Sequence, residues 1–175
     1  MKQESTQQIC NQLHTKSILK ISVSKKAEKA FYHFKFHAQN FEKIFKEEYP
    51  DSEVCVLFEN KHTQSFYLQF GSDILLFMLH SNVFAFNRDH EVMKTAYIKE
   101  DKNRAYCGQI SIYNFLTDSL FYQRYNDLGY LIGRVFVNND NHYYIDGKRE
   151  IGQLYNNFGT NVFDEKAALM ILESA

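Results

Sequence analysis

Ala27, Phe31, Phe34, Ala38, Phe41 and Phe45 return along the chain at steps of three and four, so a helix would gather them on one face. The spacing predicts a long amphipathic helix over about residues 24–49, with Ser24 as its N-cap and Pro50 as its stop. Tyr32 and Phe36 project from its other side, which predicts a helix lying between two layers or, as the second choice, one that offers two aromatics to a partner. Upstream, residues 3–15 keep only a weak helical spacing (Ile9, Leu13) and read as a frayed turn. Leu19, Ile21 and Val23 alternate with Lys20 and Ser22, and this period of two predicts a short half-buried strand.

After Pro50 the period changes. Val54, Val56 and Phe58, then Phe66, Leu68 and Phe70, then Ile74 to Leu79 and Val83 to Phe86 form four apolar runs separated by short polar turns. Connections this short require antiparallel neighbours, so residues 53–86 read as a β-meander. Two of its strands are apolar on both faces, which predicts central strands covered from both sides. Residues 87–104 are polar and read as a long loop. Over 106–125, Ile110, Tyr113, Leu116 and Leu120 favour a helix over a strand. Tyr130 to Val137 and His142 to Asp146 flank Asn138-Asn139-Asp140-Asn141 as a β-hairpin. A short helix follows over 151–158, closed by Gly159. Asp164 caps a last one, which either docks back on the sheet or marks a chain cut short over 164–175.

These elements predict a single α+β domain over 1–175: an antiparallel β-meander plus a β-hairpin, covered by a long N-terminal amphipathic helix and shorter C-terminal helices. The 16 Phe and 12 Tyr, against no Trp and one Pro, place most aromatics in core positions of these elements. Lys and Arg total 20 against 21 Asp and Glu, a net charge of −1, so there is no global basic excess of the kind that binds long nucleic acid. The first thirty residues are locally lysine-rich.

The polar start lacks a signal-like apolar core, and no apolar run approaches membrane-spanning length. Cys10, Cys55 and Cys107 form no Cys-x-x-Cys pair, and Cys55 reads as a core residue. A cytoplasmic protein without membrane association is therefore expected.

Candidate chemistry is sparse. Asp146-Gly147-Lys148 leaves the hairpin strand and resembles the carboxylate and lysine of PD-(D/E)xK metal-dependent nucleases. The resemblance implies a Mg²⁺ or Mn²⁺ ion on Asp146, phosphate charge steadied by Lys148, and an upstream Asp127, Asp118 or Asp140. The Gly between them is turn chemistry, and none of those aspartates follows a Pro. His33 and His37 stand at i and i+4 but read as boundary histidines rather than metal ligands. Cys107 with His90 or His142 is a weak nucleophile-and-base candidate. Arg104, Arg134 and Arg149, interleaved with Tyr106 and Tyr144, form a candidate binding surface for a small molecule, a nucleotide or a protein.

With no phosphate-cradling glycine motif, the leading expectation is a non-enzymatic small-ligand-binding or protein-interaction module needing no cofactor. A homodimer is compatible with it, and nucleic acid is the lesser partner. The alternative is a phosphodiesterase using Asp146, Lys148 and Asp127.

Overall fold

The computed structural model describes every residue except 1, 125 and 156, together with all side chains of the described residues except those of 2–4, 149, 150 and 154. The fold is α+β, with a long N-terminal helix, a seven-stranded antiparallel sheet and short C-terminal helices.

The first helix is longer than the periodicity predicts. α1 runs from Lys2 to Glu48, about 70 Å at 1.5 Å per residue. The expected strand at 19–23 and frayed turn at 3–15 are both helix, and Ser24 lies inside α1 rather than capping it. Val23 is fully buried while Ile21 is exposed, which a 3.6-residue period explains and an alternating strand does not. Val23, Ala27, Ala30, Phe31, Phe34 and Ala38 form the buried stripe. Residues 5–18 are exposed throughout. Tyr32 and Phe36 are also exposed, at 65% and 39%, so α1 has one covered side rather than two.

The strands are β1 (Val56–His62), β2 (Ser65–Phe70), β3 (Asp73–Leu79), β4 (Phe84–Ala85), β5 (Tyr106–Leu116), β6 (Tyr130–Asn138) and β7 (Tyr143–Gly147). Their order is β1-β2-β3-β5-β6-β7, and β4 pairs with the start of β5. Because Leu79 pairs with Ile110 and Phe84 with Cys107, β3 and β4 occupy one lane alongside β5, interrupted at residues 80–83. The meander and the hairpin therefore join as one sheet. Residues 106–116 are strand, not the expected helix, with a short helix α3 (Thr117–Phe121) only afterwards. Ile110 and Ile112 point to α1 while Cys107 enters the opposite core, so burial on both sides masks the period of two. Val54 and Cys55 precede β1 and are exposed, which corrects the core reading of Cys55.

One face of the sheet packs on α1. Phe66 and Phe77 stack with centroids 4.7 Å apart, and Phe31, Phe34 and Phe58 lie 5.2 to 5.5 Å from one or other of them. The helix crosses β5 at Gly108, where an added Cβ would stand 2.2 Å from Ala27 Cβ. Nothing larger than hydrogen fits there. In place of the helix expected over 151–158 stands α4 (Arg149–Leu154), and helix α5 (Glu165–Ser174), capped by Asp164 Oδ1 accepting from Ala167 N at 2.7 Å, buries Ala167, Ala168 and Ile171 in the same core. His37 Nε2 is 3.0 Å from the Glu165 carbonyl, which places this boundary histidine at the α1–α5 junction.

The other face is covered at one end by residues 86–105, and at the far end it closes around Ile74, 1% exposed, with the Phe115 ring against Gly129; the bare part lies between. Residues 87–104, expected as a polar loop, lie within a segment 86–105 that forms a 3₁₀ turn (Glu91–Lys94), helix α2 (Ala96–Glu100) and a second 3₁₀ turn (Lys102–Ala105). Their polar residues are caps: His90 Nδ1, Thr95 Oγ1 and Asp101 Oδ1 accept from Val92, Ile98 and Asn103 N–H groups. This segment brings Phe86, Val92, Ile98 and Ala105 over Cys107, Phe136 and Phe158 as a second core. The edges of the sheet differ. β1 ends in Glu59-Asn60-Lys61-His62, with a register shift between Glu59 and His62. Beside β7, Tyr143 N donates to Asn161 O and Ile145 N to Tyr155 O.

Candidate functional site

Strand register decides which side chains share the sheet's second face. One row runs Leu57, Gln69, Ile74, Phe115 across β1, β2, β3 and β5. The next runs Glu59, Tyr67, Leu76, Tyr113, Leu131, and a third runs Ser65, Met78, Ser111, Arg134, Asp146. Only the following row, with Gln109, Phe136 and Tyr144, reaches the end covered by residues 86–105.

The first three rows belong to neither core. Met78 is 45% exposed and Leu57, Leu76, Tyr113, Phe115 and Leu131 are half-buried, while Ile74, Tyr67 and Ser111 between them are buried. The expectation that the doubly apolar strands are covered on both sides therefore holds on the α1 side throughout, and on the other side at Tyr67 and Ile74 but not at Met78. An antiparallel sheet facing water normally alternates apolar-in with polar-out, and here the outward set is apolar as well.

Polar groups border this apolar centre. On the β1 side the Tyr67 hydroxyl donates to Glu59, and Lys61 pairs with Glu59 at 2.9 Å while lying 5.3 Å from the Tyr67 ring centroid. Burial, and then the bond to Glu59, pushes the Tyr67 hydroxyl up to about 12, while the Tyr67 and Lys61 bonds hold Glu59 below its usual range. On the β6–β7 side Arg134 Nη1 pairs with Asp146 Oδ2 at 3.2 Å. An apolar centre with charged and hydrogen-bonding groups around it is the anatomy of a protein-binding patch.

The residues singled out from the sequence are dispersed. Arg134 and Asp146 meet, on the margin of the bare face. Lys148 lies past the end of β7, its Nζ 4.8 Å from the Tyr130 ring centroid, in an open cleft of about 570 Å³ lined also by Asn114, Ile132, Ile151 and Ser174. Asp127 accepts from Ser119 Oγ at 2.7 Å in a neighbouring cleft of about 520 Å³. Among the described residues no three His, Cys, Asp or Glu side chains cluster to hold a metal ion.

Arg104 is committed to the fold. Its Nε reaches Asp140 Oδ2, its Nη1 reaches Glu100 Oε2 and the Tyr97 carbonyl, each at 2.9 Å, and its guanidinium lies 4.4 Å from the Tyr97 ring centroid. Tyr106 is half-buried at the start of β5, and Tyr144 packs edge-on against Phe86 and His90 in the second core. The side chain of Arg149 lies outside the described residues. Cys107 is fully buried and burial pushes its thiol up, against thiolate formation. His142 Nδ1 is 3.1 Å from the Phe158 carbonyl and its ring stacks on Tyr97, while His90 Nδ1 caps a turn, so both histidines have structural tasks.

The apolar rows escaped sequence reading because alternation assigns faces without saying which face finds a cover. The double-sided apolarity of Ile74 to Leu79 was the available signal. Among the described residues no helix is long and apolar enough to cross a membrane. No protein-family model, curated protein or solved structure matches the chain.

Proposed function

We propose that the protein is a cytoplasmic, non-catalytic interaction module that holds a protein partner against the bare face of its sheet. The observation that carries this reading is the apolar patch of Leu57, Leu76, Met78, Tyr113, Phe115 and Leu131, left outside both cores and bordered by the Glu59–Tyr67–Lys61 and Arg134–Asp146 groups. Water is a poor match for such a face, and a partner of complementary shape removes it from solvent. Cytoplasmic residence is supported by three unbridged cysteines, two of them exposed, a state that a reducing compartment maintains.

A photo-crosslinking amino acid at Tyr113 tests the reading in the cell of origin. A discrete crosslinked protein is expected, lost when Met78→Lys is added. The same probe at exposed Thr160 serves as control. No adduct at Tyr113, or the same adduct from both positions, overturns the assignment.

A further inference from the structure

The outward side of α1 lies across the molecule from the bare sheet face and has its own character. At about 100° per residue, Ile18, Ile21, Lys25, Lys29, Tyr32 and Phe36 fall in a band about 80° wide, opposite the buried stripe. All six are exposed, the two isoleucines by more than half. From Gln7 to Lys43 no Asp or Glu enters this band, and Glu28 stands only on its flank. The band is thus cationic and apolar at once, along a straight line of about 27 Å from Ile18 to Phe36.

Each candidate surface uses these side chains differently. Nucleic acid would engage the lysines and stack on Tyr32 or Phe36, but it leaves Ile18 and Ile21 without a partner. A solvated face needs neither isoleucine. An anionic bilayer uses all six: ammonium groups among headgroup phosphates, isoleucines at the acyl boundary, and the two rings at interfacial depth.

We propose that this face of α1 rests on an anionic lipid surface, bringing the module to a membrane without spanning it. This reverses the expectation of no membrane association, which weighed the length of apolar runs and not an exposed helical face.

The test is flotation of the purified full chain with phosphatidylcholine vesicles, with and without phosphatidylserine. The protein should float with the anionic vesicles only and be released by added salt. The pair Lys25→Gln and Lys29→Gln should lower partitioning by roughly tenfold or more, and the pair Ile21→Gln and Phe36→Gln should lower it comparably. Both variants should unfold thermally like the parent, because only exposed side chains change. Met78→Lys, on the other side of the molecule, should float normally.

Failure to float, equal flotation with neutral vesicles, or normal flotation of both helix variants overturns the proposal. So does displacement from vesicles by RNA with RNA binding retained in the Ile21/Phe36 variant, which would assign the band to nucleic acid.

Discussion

Gly108 and Ala27 fix the distance between α1 and the sheet, because the space where a Cβ at 108 would stand is already taken by the Ala27 methyl. Gly108→Ala should force helix and strand apart and cost about 2 to 3 kcal/mol in urea unfolding, in the range of over-packed cores. Asn138 is a second single-residue determinant. It is fully buried at the end of β6, with Nδ2 donating to Tyr97 Oη and the Arg104 carbonyl and Oδ1 accepting from Asp140 N and His142 N. Asn138→Ala strands those groups, and we expect a loss of about 3 kcal/mol by the same measurement. In the sequence Asn138 reads as one of four turn residues. Its burial depends on residues 97–104 closing over it, which no local pattern records. The same limit applies to Arg104, whose position beside aromatics resembled a binding site while its partners, Asp140 and Tyr97, lie 36 and 7 residues away.

At the scale of elements α1 is two helices in one. Its buried stripe from Val23 to Ala38 is held by the sheet, whereas residues 5–18 are exposed and belong to neither core, with local bonds such as Thr15 Oγ1 to the Asn11 carbonyl, and a short helix so supported is marginal in water. Hydrogen exchange should therefore be fast from 5 to about 18 and slow from 23 to 38 within one continuous helix, and uniform protection would contradict this division. Phe34→Ala should cost about 3 to 5 kcal/mol, while Phe36→Ala, two residues on and exposed, should stay within about 0.5 kcal/mol. The misreading of 19–23 has the same origin: three alternating apolar residues mimic a strand, and only the longer spacing Val23, Ala27, Ala30, Phe34 reveals the helix. In β5 the error ran the other way, since apolar residues on both faces of a buried strand also satisfy a helical spacing.

Across the whole molecule, the order of elements and the antiparallel sheet were readable because short turns leave few alternatives. Which face stays bare was not, since cover is supplied by distant segments: α1 from one end, residues 86–105 in the middle and α5 at 165–174. Global stability should respond to alkali. Tyr67, Tyr97 and Tyr143 are pushed from 10 up to about 12, each chiefly by burial. A raised folded-state value means that the native protein holds these protons more tightly than the unfolded chain. Their contribution is complete below pH 10 and is lost as pH rises through 10 toward 12. The part of the phenolate absorbance that Tyr67→Phe, Tyr97→Phe and Tyr143→Phe remove should then appear together with the loss of far-ultraviolet dichroism, and its appearance in a fully folded protein would refute the linkage.

The two edges of the sheet carry one last consequence. An unpaired strand edge is a template on which further chains can add. Here two β7 amides, Tyr143 N and Ile145 N, are taken up by the Asn161 and Tyr155 carbonyls, and β1 breaks its register where Glu59, Lys61 and His62 crowd the strand end. Neither edge invites end-to-end growth. A protein with so many exposed apolar residues on its faces is thereby guarded against fibrillar polymerisation along its rims.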